Sequence, residues 1–282
     1  MGILRLVATP IGNLEDVTLR ALSVLRDASL IVAEDTRTTR KLLFRHGIRP
    51  RRLLSYNEHN MKARTPQVIA ALREGDVAVV SEAGMPGISD PGYELVVAAV
   101  AAGFAVSPVP GASAVIAALA ASGLPAREFT FLGFLPRRAT ERRRLFSSLA
   151  GEPRTIVAFE SPHRIRQTLK YMLAVWGDRR IAVCRELTKL HEEVFRGRLS
   201  EAIERFAEPR GEFTLVVEGA SGRPAASEDE VRAELQRRKA AGERAKDAVA
   251  AVAGASGLPR RRVYELWLAI DGAPAKPSRR RS

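Results

Sequence analysis

The feature that most constrains the fold is a set of short apolar runs that each end in a glycine-containing loop. Residues 77–80 are apolar, and a long loop rich in glycine and proline follows them at 81–92. A second run at 105–109 ends in Pro110-Gly111, and a third at 3–8 ends in Thr-Pro-Ile-Gly-Asn. Short apolar runs bounded by Gly and Pro are typical of buried strands. Helical patterns lie between these runs, so the sequence predicts an α/β fold with a largely parallel N-terminal sheet.

The same loops predict a ligand site. Ligands of open α/β sheets bind outside the carboxyl ends of the strands, where glycine lets the backbone approach closely. Ser113 is placed to cap the helix that follows the second loop. Alternatively, Gly and Pro only form turns here. The sequence contains neither a G-x-G-x-x-G nor a P-loop motif, which favours a nucleotide-like ligand held by backbone contacts over a phosphate cradle.

Changes in pattern and composition divide the chain into four segments. We predict an α/β domain at 1–122, a smaller mixed-sheet α/β domain at 126–219, a helix-turn-helix-like module at 226–271 and a disordered basic tail at 272–282. Segments 122–125 and 219–224 are the predicted linkers. Within the first domain, helices are expected to begin at Asp16, at Thr38 and at Thr65-Pro66.

Charge indicates an acidic macromolecular partner. The formal net charge is +13, from 45 basic and 32 acidic residues. The last 60 residues hold 14 basic and 8 acidic side chains, which is +6 of that total. A nucleic-acid partner explains this excess. An arginine-rich composition that reflects a GC-rich genome is the alternative.

The cysteine, histidine and hydropathy patterns argue against a disulfide-stabilised, a metal-binding and a membrane-spanning protein. A single cysteine excludes an internal disulfide framework and suits a reducing compartment. The sequence has no apolar run of about 18 residues and no secretory leader pattern, so we expect a cytoplasmic protein without a membrane partner. The four histidines have no metal-ligand spacing, and no metal is expected.

Several longer motifs resemble one family. SEAGMPGISDPGYELV (81–96) and VPGASAVIAAL (109–119) are similar to signature loops of the tetrapyrrole-methylase-like, S-adenosylmethionine-dependent methyltransferases. Within that superfamily they resemble the branch that methylates a cytidine ribose 2′-hydroxyl in 16S ribosomal RNA. The resemblance continues in LVATPIGNLEDVTLRAL (6–22), AEDTRTTRKLL (33–43), FLGFLPR (131–137) and FESPHRI (159–165).

This resemblance implies two α/β domains with S-adenosylmethionine in the cleft between them, a homodimer, and the small ribosomal subunit as substrate. Glu82 departs from the family pattern, in which Asp is usual, and Met85 stands where Thr is usual. A side-chain hydroxyl contact at position 85 would therefore be lost, whereas a backbone contact would remain. The matching cofactor positions are Gly84, Met85, Pro86, Ile88, Ser113, Ala114, Phe159, Glu160, Ser161, Glu186, Leu187, Thr188, Phe213 and Thr214.

Candidate catalytic residues lie in loops that should face the same crevice. Methyl transfer from a sulfonium needs alignment of donor and nucleophile and a base for the hydroxyl proton. Glu34 and Asp35 form a carboxylate pair that could supply this base, or could only cap the following helix. His59 is the other candidate, although a histidine in a polar loop is also typical of a solvated surface.

Candidate RNA contacts are polar or basic. Arg37 lies beside the carboxylate pair, and the basic positions 142–144 form either an RNA-binding surface or a solvated helix face. The remaining candidates are Asn13, Glu58, Arg137, Arg138, Arg260, Arg261 and Arg262.

Three functions are compatible with these observations. The first is 2′-O-methylation of ribosomal RNA. The second is methylation of a small tetrapyrrole on the same fold, for which the basic C-terminal module has no evident use. The third is RNA binding without catalysis, in which the glycine loops are only structural.

Overall fold

A computed structural model of the protein describes residues 2–220, 228–256 and 258–270. The chain divides into two compact units. The first comprises Met1–Ala150 and Arg154–Gly219, and the second comprises Gly151–Pro153 and Ala220–Ser282. The predicted tail at 272–282 and most of the predicted linker at 219–224 lie outside the described residues. Both sheets belong to the first unit, and a domain boundary at 122–126 stays a prediction.

The N-terminal sheet is parallel at every strand pair. It contains β1 (Ile3–Val7), β2 (Leu30–Ala33), β3 (Leu53–Ser55), β4 (Val77–Val80) and β5 (Ala105–Val109), in the order β3-β2-β4-β1-β5. The central strands β2 and β4 are buried at every position. Such continuous burial is expected of parallel strands that helices cover on both faces.

Four helices cover this sheet: α1 (Leu19–Asp27), α2 (Thr36–Arg45), α3 (Met61–Glu74) and α4 (Tyr93–Ala101). α1 and α2 contribute to one core, and α3 and α4 contribute to the core on the opposite face. After β2 the chain therefore passes over one face towards β3, and after β4 it passes over the other face towards β5. Adjacent strands whose connections diverge in this way open a crevice at their carboxyl ends.

The second sheet is mixed, as predicted. It contains β6 (Phe129–Phe134), β7 (Thr155–Glu160), β8 (Arg180–Arg185), β9 (Glu193–Arg198) and β10 (Phe213–Val217), in the order β6-β7-β10-β8-β9. β6 and β7 are parallel, and the other pairs are antiparallel. Helices α6 (Ala139–Ser148), α7 (Ile165–Trp176) and α8 (Leu199–Arg205) pack on one face, and α5 (Ala114–Ala121) packs on the other. The predicted fold class is confirmed, although α8 was not predicted.

The described part of the second unit contains three helices, α9 (Glu228–Ala240), α10 (Ala245–Ser256) and α11 (Arg260–Ala269). Leu235, Val249 and Leu266, one from each helix, share a buried core with Trp267. These helices agree closely with the sequence pattern. None of the described helices is both long enough and apolar enough to cross a bilayer.

Three helix starts in the first unit, those of α1, α2 and α3, differ from the predicted ones. The segment Leu14–Asp16 is a single 3₁₀ turn. α1 begins three residues after Asp16, because the Thr18 hydroxyl accepts a hydrogen bond from the Ala21 amide at 3.0 Å and so caps the helix.

α3 begins at Met61 rather than at Thr65-Pro66, and Pro66 lies inside it. Proline removes one amide donor from a helix. The helix nevertheless continues past Pro66, and the Thr65 hydroxyl just before it donates to the Met61 carbonyl at 2.8 Å. α2 also begins earlier than predicted, at Thr36, because the Asp35 side chain caps it.

Candidate active site

An acidic cavity of about 430 Å³ lies at the carboxyl ends of β2, β3 and β4. It occupies the crevice that the diverging connections after β2 and β4 predict. Loops that follow three different strands supply its walls, so distant parts of the sequence meet there. The lining residues are Glu34, Asp35, Thr36, Arg37, Ser55, Asn57, Glu58, His59 and Glu82.

Glu34 is the carboxylate best suited to accept a proton. It directly follows the buried strand β2 and is partly buried itself. Burial, followed by the negative charges of Asp90, Glu82 and Glu58, raises its pKa from 4.5 to about 6. Its Oε2 atom is buried and has no hydrogen-bond partner within the described part of the chain. A carboxylate with this pKa is mostly ionised at pH 7 and still basic enough to take a hydroxyl proton.

Asp35 has a different role from Glu34. Its side chain accepts a hydrogen bond from the Arg37 amide at 2.7 Å and so caps α2, which explains the early start of that helix. It also pairs with the Arg37 guanidinium at 2.9 Å. The guanidinium and amide donors hold the pKa of Asp35 down at about 2. A carboxylate so firmly ionised is a weak base, so the geometry separates the two members of the predicted pair.

The other two sequence candidates in this cavity, Glu58 and His59, are exposed at its edge. Both belong to a turn in which the Asn57 side chain accepts a hydrogen bond from the His59 amide at 3.1 Å. Glu82, from the loop after β4, completes the acidic lining. Among the described residues, no group of three or more His, Cys, Asp and Glu side chains is arranged to hold a metal ion.

Asp90 was not among the residues predicted from the sequence. It is partly buried in the loop after β4, and burial raises its pKa to about 6, with a further contribution from Glu82. A hydrogen bond with the Ser81 side chain opposes this increase. The available signal was an acidic residue inside a glycine-rich loop that follows a buried strand.

A second cavity of about 250 Å³ lies beside the first and shares Glu82 with it. The loop after β1 forms one wall, and Lys189 and Glu212 of the second sheet's loops form another. At this wall the Asn13 amide donates to the Thr188 hydroxyl at 3.0 Å. A Cβ atom at Gly12 would lie 2.8 Å from the Leu187 carbonyl oxygen, so only glycine allows this approach.

The three glycine loops meet as predicted. Thr9 and Gly84 exchange two backbone hydrogen bonds, at 2.9 and 3.0 Å, which tie the loops after β1 and β4 together. Gly84 has a φ of +77°, which is strained for other residues. In the loop after β5, a Cβ at Gly111 would lie 3.0 Å from the Cβ of Ala8.

The predicted cofactor residues of the second sheet divide between its two faces. Phe159 and Thr214 are paired across β7 and β10, on the face that α5 covers. Leu187 packs beside the same core. Ser113 caps α5 as predicted, accepting from the Ile116 amide at 3.4 Å, and Ala114 begins that helix.

Glu160 and Phe213 face the opposite layer, because side chains alternate along a strand. The Phe213 ring lies in the core under α7 and α8. The Glu160 carboxylate is buried, accepts from the Thr168 hydroxyl at 2.6 Å and pairs with Arg164 at 2.6 Å. Its neighbour Ser161 donates its amide to that carboxylate. A cofactor on the α5 side could reach only the backbone at positions 160 and 213.

The loop after β4 supplies the remaining cofactor candidates. Pro86 is buried, Met85 is partly buried and Ile88 is 54% exposed. The side chain of Ser89 in this loop reaches the second sheet, since its hydroxyl lies 3.0 Å from where a Cβ on Gly133 would be.

The prediction that the basic positions 142–144 are exposed is wrong at Arg142. This side chain is 1% exposed, donates to the Pro136 carbonyl and to Gln167, both at 3.2 Å, and lies over the Tyr171 ring. Arg137 and Arg138 are exposed.

In the second unit, Arg260 and Arg261 are exposed on α11, and Arg261 pairs with Glu265 at 3.4 Å. Arg262 is ion-paired with Glu228 at 2.6 Å and with Glu265 at 2.9 Å. Arg262 therefore connects α9 and α11, whereas Arg260 and Arg261 are more available to an external partner.

Comparison with known proteins identifies the family. The profile of the tetrapyrrole (corrin/porphyrin) methylases matches residues 4–203. A Thermotoga maritima protein named ribosomal RNA small subunit methyltransferase I is 53% identical over 222 residues, which cover 78% of this chain and 99% of that protein. A protein of the same name from Halalkalibacterium halodurans is 48% identical over 94% of each chain.

Solved structures agree in fold. The methyltransferase CobJ superposes with a TM-score of 0.60 at 22% identity, over 79% of this chain and 96% of its own. Uroporphyrin-III C-methyltransferase from Thermus thermophilus, in complex with S-adenyl homocysteine, gives a TM-score of 0.55 at 20% identity, over 77% and 97%. The chain belongs to the tetrapyrrole methylase family and, within it, to the group of the ribosomal RNA small subunit methyltransferases I.

Proposed function

We propose that this methyltransferase transfers a methyl group from S-adenosylmethionine to the ribose 2′-hydroxyl of a cytidine in 16S ribosomal RNA. Relatives that are 42–53% identical carry the name ribosomal RNA small subunit methyltransferase I, which supports the ribosomal substrate. A ribosomal substrate implies that the protein works in the cytoplasm. The single observation that carries the proposed chemistry is Glu34, with its raised pKa and unpaired Oε2 in the acidic cavity.

The cavity suits a neutral nucleoside that offers hydrogen-bond donors. Its carboxylates accept hydrogen bonds and repel phosphate groups. A ribose hydroxyl and the exocyclic amine of cytosine are both donors, and acidic side chains are the usual partners of that amine. Glu34 accepts the 2′-hydroxyl proton, while Glu58 and Glu82 are available to the base.

The residues around the glycine loops fit S-adenosylmethionine, which supplies the methyl group when it is bound. Gly84, Gly87 and Gly92 have positive φ values, so the loop after β4 turns without bulky side chains that would obstruct a cofactor. Phe134 is 60% exposed and packs against Phe159, which offers an aromatic surface for an adenine ring. Met85 has no side-chain hydroxyl, but its backbone can still contact the cofactor.

A tetrapyrrole substrate is less compatible with this site. The tetrapyrroles that the solved neighbours are named for carry many carboxylates, which the acidic cavity would repel. Those neighbours are only 19–23% identical to this chain. An RNA-binding protein without catalysis would gain nothing from a buried carboxylate with a raised pKa.

The test uses purified protein with methyl-labelled S-adenosylmethionine and three acceptors: small ribosomal subunits, large ribosomal subunits and uroporphyrinogen III. We expect label only in the small subunit, and nuclease digestion should release it as 2′-O-methylcytidine. Label on a base, or on the tetrapyrrole, would contradict the proposal.

The homodimer is part of the same proposal. Three side chains of α4 spaced along one side of the helix, Tyr93, Val97 and Val100, are 68%, 49% and 61% exposed. They provide an apolar surface that a second copy of the chain could cover. Sedimentation analysis should give a dimer mass, and a monomer at micromolar concentration would contradict this part.

A further inference from the structure

We propose that the outward side of α2 is a docking surface for single-stranded ribosomal RNA adjacent to the target nucleotide. This surface, the α2 basic face, consists of Arg37, Arg40, Lys41 and Phe44. The inference rests on the proposed function, since it concerns how the same substrate reaches the acidic cavity.

The α2 basic face is one continuous strip. Its members follow the i, i+3, i+4, i+7 spacing that places side chains on one side of a helix. All four are exposed, whereas Leu42 and Leu43 on the opposite side are buried in the core. All the charged side chains of α2 are basic, because its ten residues TRTTRKLLFR include four cations and no acid.

Two observations distinguish this strip from an ordinary solvated helix face. Phe44 is 89% exposed, so its ring is open to an external partner and stands among cations on the same side of the helix. Arg40 and Lys41 have neither an ion-pair nor a hydrogen-bond partner among the described residues. Cations that track phosphates, combined with an aromatic ring on which a base can stack, are the usual means of binding single-stranded nucleic acid.

The position of the strip links it to the cavity. Arg37 lines the cavity, and its side chain is 85% exposed beside Asp35. From Arg37 to Phe44 the helix rises about 10 Å, which matches about three nucleotides at the strand rise of nucleic acid. The carboxylates inside the cavity repel phosphates, so the backbone of the substrate must lie outside it, along cations such as these.

The experiment measures binding to purified small ribosomal subunits and to the ribosomal RNA extracted from them. Phe44→Leu keeps an apolar side chain but removes the aromatic ring, and should weaken binding about tenfold. Phe44→Trp keeps a stacking surface and should restore binding to within about twofold. Both changes occur at an exposed position, so melting temperature should remain that of the parent.

The charge test compares two double variants that remove the same net charge. R40A/K41A should flatten the slope of log affinity against log salt by about 1.4, which is two single-strand phosphate contacts. R166A/K170A removes two exposed cations from α7 and should leave the slope unchanged. In methylation assays R40A/K41A should raise KM for RNA and leave kcat at saturating RNA unchanged.

Each other outcome overturns the proposal. Parent-like binding by Phe44→Leu and R40A/K41A, with methylation by the parent protein intact, would refute the docking surface and leave the proposed function standing. Weaker binding to whole subunits, with unchanged binding to extracted RNA, would assign the α2 basic face to a ribosomal protein instead. A parent protein that neither binds nor methylates the small subunit would overturn both proposals.

Discussion

The pH dependence of methylation should report the ionisation of Glu34. Only the ionised carboxylate accepts a proton, so the chemical step should follow its titration. With a pKa of about 6, roughly one Glu34 side chain in eleven is ionised at pH 5 and nearly all are at pH 7.5. The rate should therefore rise about tenfold between these pH values, compared with about 1.3-fold for a carboxyl group with the ordinary value of 4.5.

The assay is single-turnover methylation of small ribosomal subunits at saturating protein and S-adenosylmethionine, from pH 5 to pH 8. Glu34→Gln should lower the rate roughly 10²-fold or more and abolish the pH dependence. Asp90→Asn removes a negative neighbour, so the Glu34 pKa should fall and the profile should move to lower pH. A profile that stays flat above pH 5, or one that Glu34→Gln leaves unchanged, would refute this role for Glu34.

The free energy of unfolding should fall as pH rises, whereas the rate of methylation should increase. The folded protein holds the Glu34 pKa above its ordinary value, so the protonated form is favoured in the folded state. The folded state then loses stability as pH rises from about 4.5 to about 6. Glu34→Gln removes this loss and should increase the free energy of unfolding at pH 7 by about 1–2 kcal/mol, measured by urea denaturation. A less stable Glu34→Gln protein would show that the carboxylate is a structural group.

Three further predictions concern the neighbouring groups. Gly84→Val should weaken S-adenosylmethionine binding at least tenfold in calorimetry, about 1.4 kcal/mol. The control Gly103→Val, at a similar φ of +79° and with no neighbour within 4 Å of an added Cβ, should bind the cofactor like the parent. Equal affinities of the two variants would show that the loop after β4 does not hold the cofactor. Asp35→Ala should lower the melting temperature by a few degrees through loss of the α2 cap, whereas Asp35→Ser should keep the cap. Both variants should methylate at the parent rate. A roughly 10²-fold loss of rate in Asp35→Ser would instead identify Asp35 as the base. Arg260→Ala should flatten the slope of log RNA affinity against log salt by about 0.7, whereas Arg262→Ala should mainly lower the melting temperature of the second unit. An unchanged slope for Arg260→Ala would show that the second unit has a structural role only.

The sequence predicted the fold well because the apolar runs are short and are separated by glycine loops. The order of the strands in each sheet was not predictable from these patterns, since it depends on which helices cover which face. The starts of α1 at Leu19 and of α3 at Met61 were missed because the Thr18 cap and a tolerated proline outweigh the hydrophobic pattern. The burial of Arg142 was missed because three consecutive arginines look alike in the sequence, although Arg143 and Arg144 are exposed.

The site was only partly predictable. Adjacent acidic residues such as Glu34 and Asp35 look equivalent in a sequence. They differ in the structure because the first leaves a buried strand and the second turns to cap a helix. The neighbours that raise the Glu34 pKa come from loops after two other strands, and no local pattern brings them together. In contrast, the inward direction of Glu160 and Phe213 follows from strand alternation, once their pairing is known.

The most direct test of the central claim is a nucleotide-resolution map of 2′-O-methylation on 16S ribosomal RNA. The map is compared among cells that have the gene, cells that lack it, and deleted cells that carry either the parent gene or Glu34→Gln. We expect one cytidine to lose its ribose methyl group on deletion, the parent gene to restore it, and Glu34→Gln, present at the same level, not to restore it. A map in which every 2′-O-methyl group survives deletion would contradict the claim.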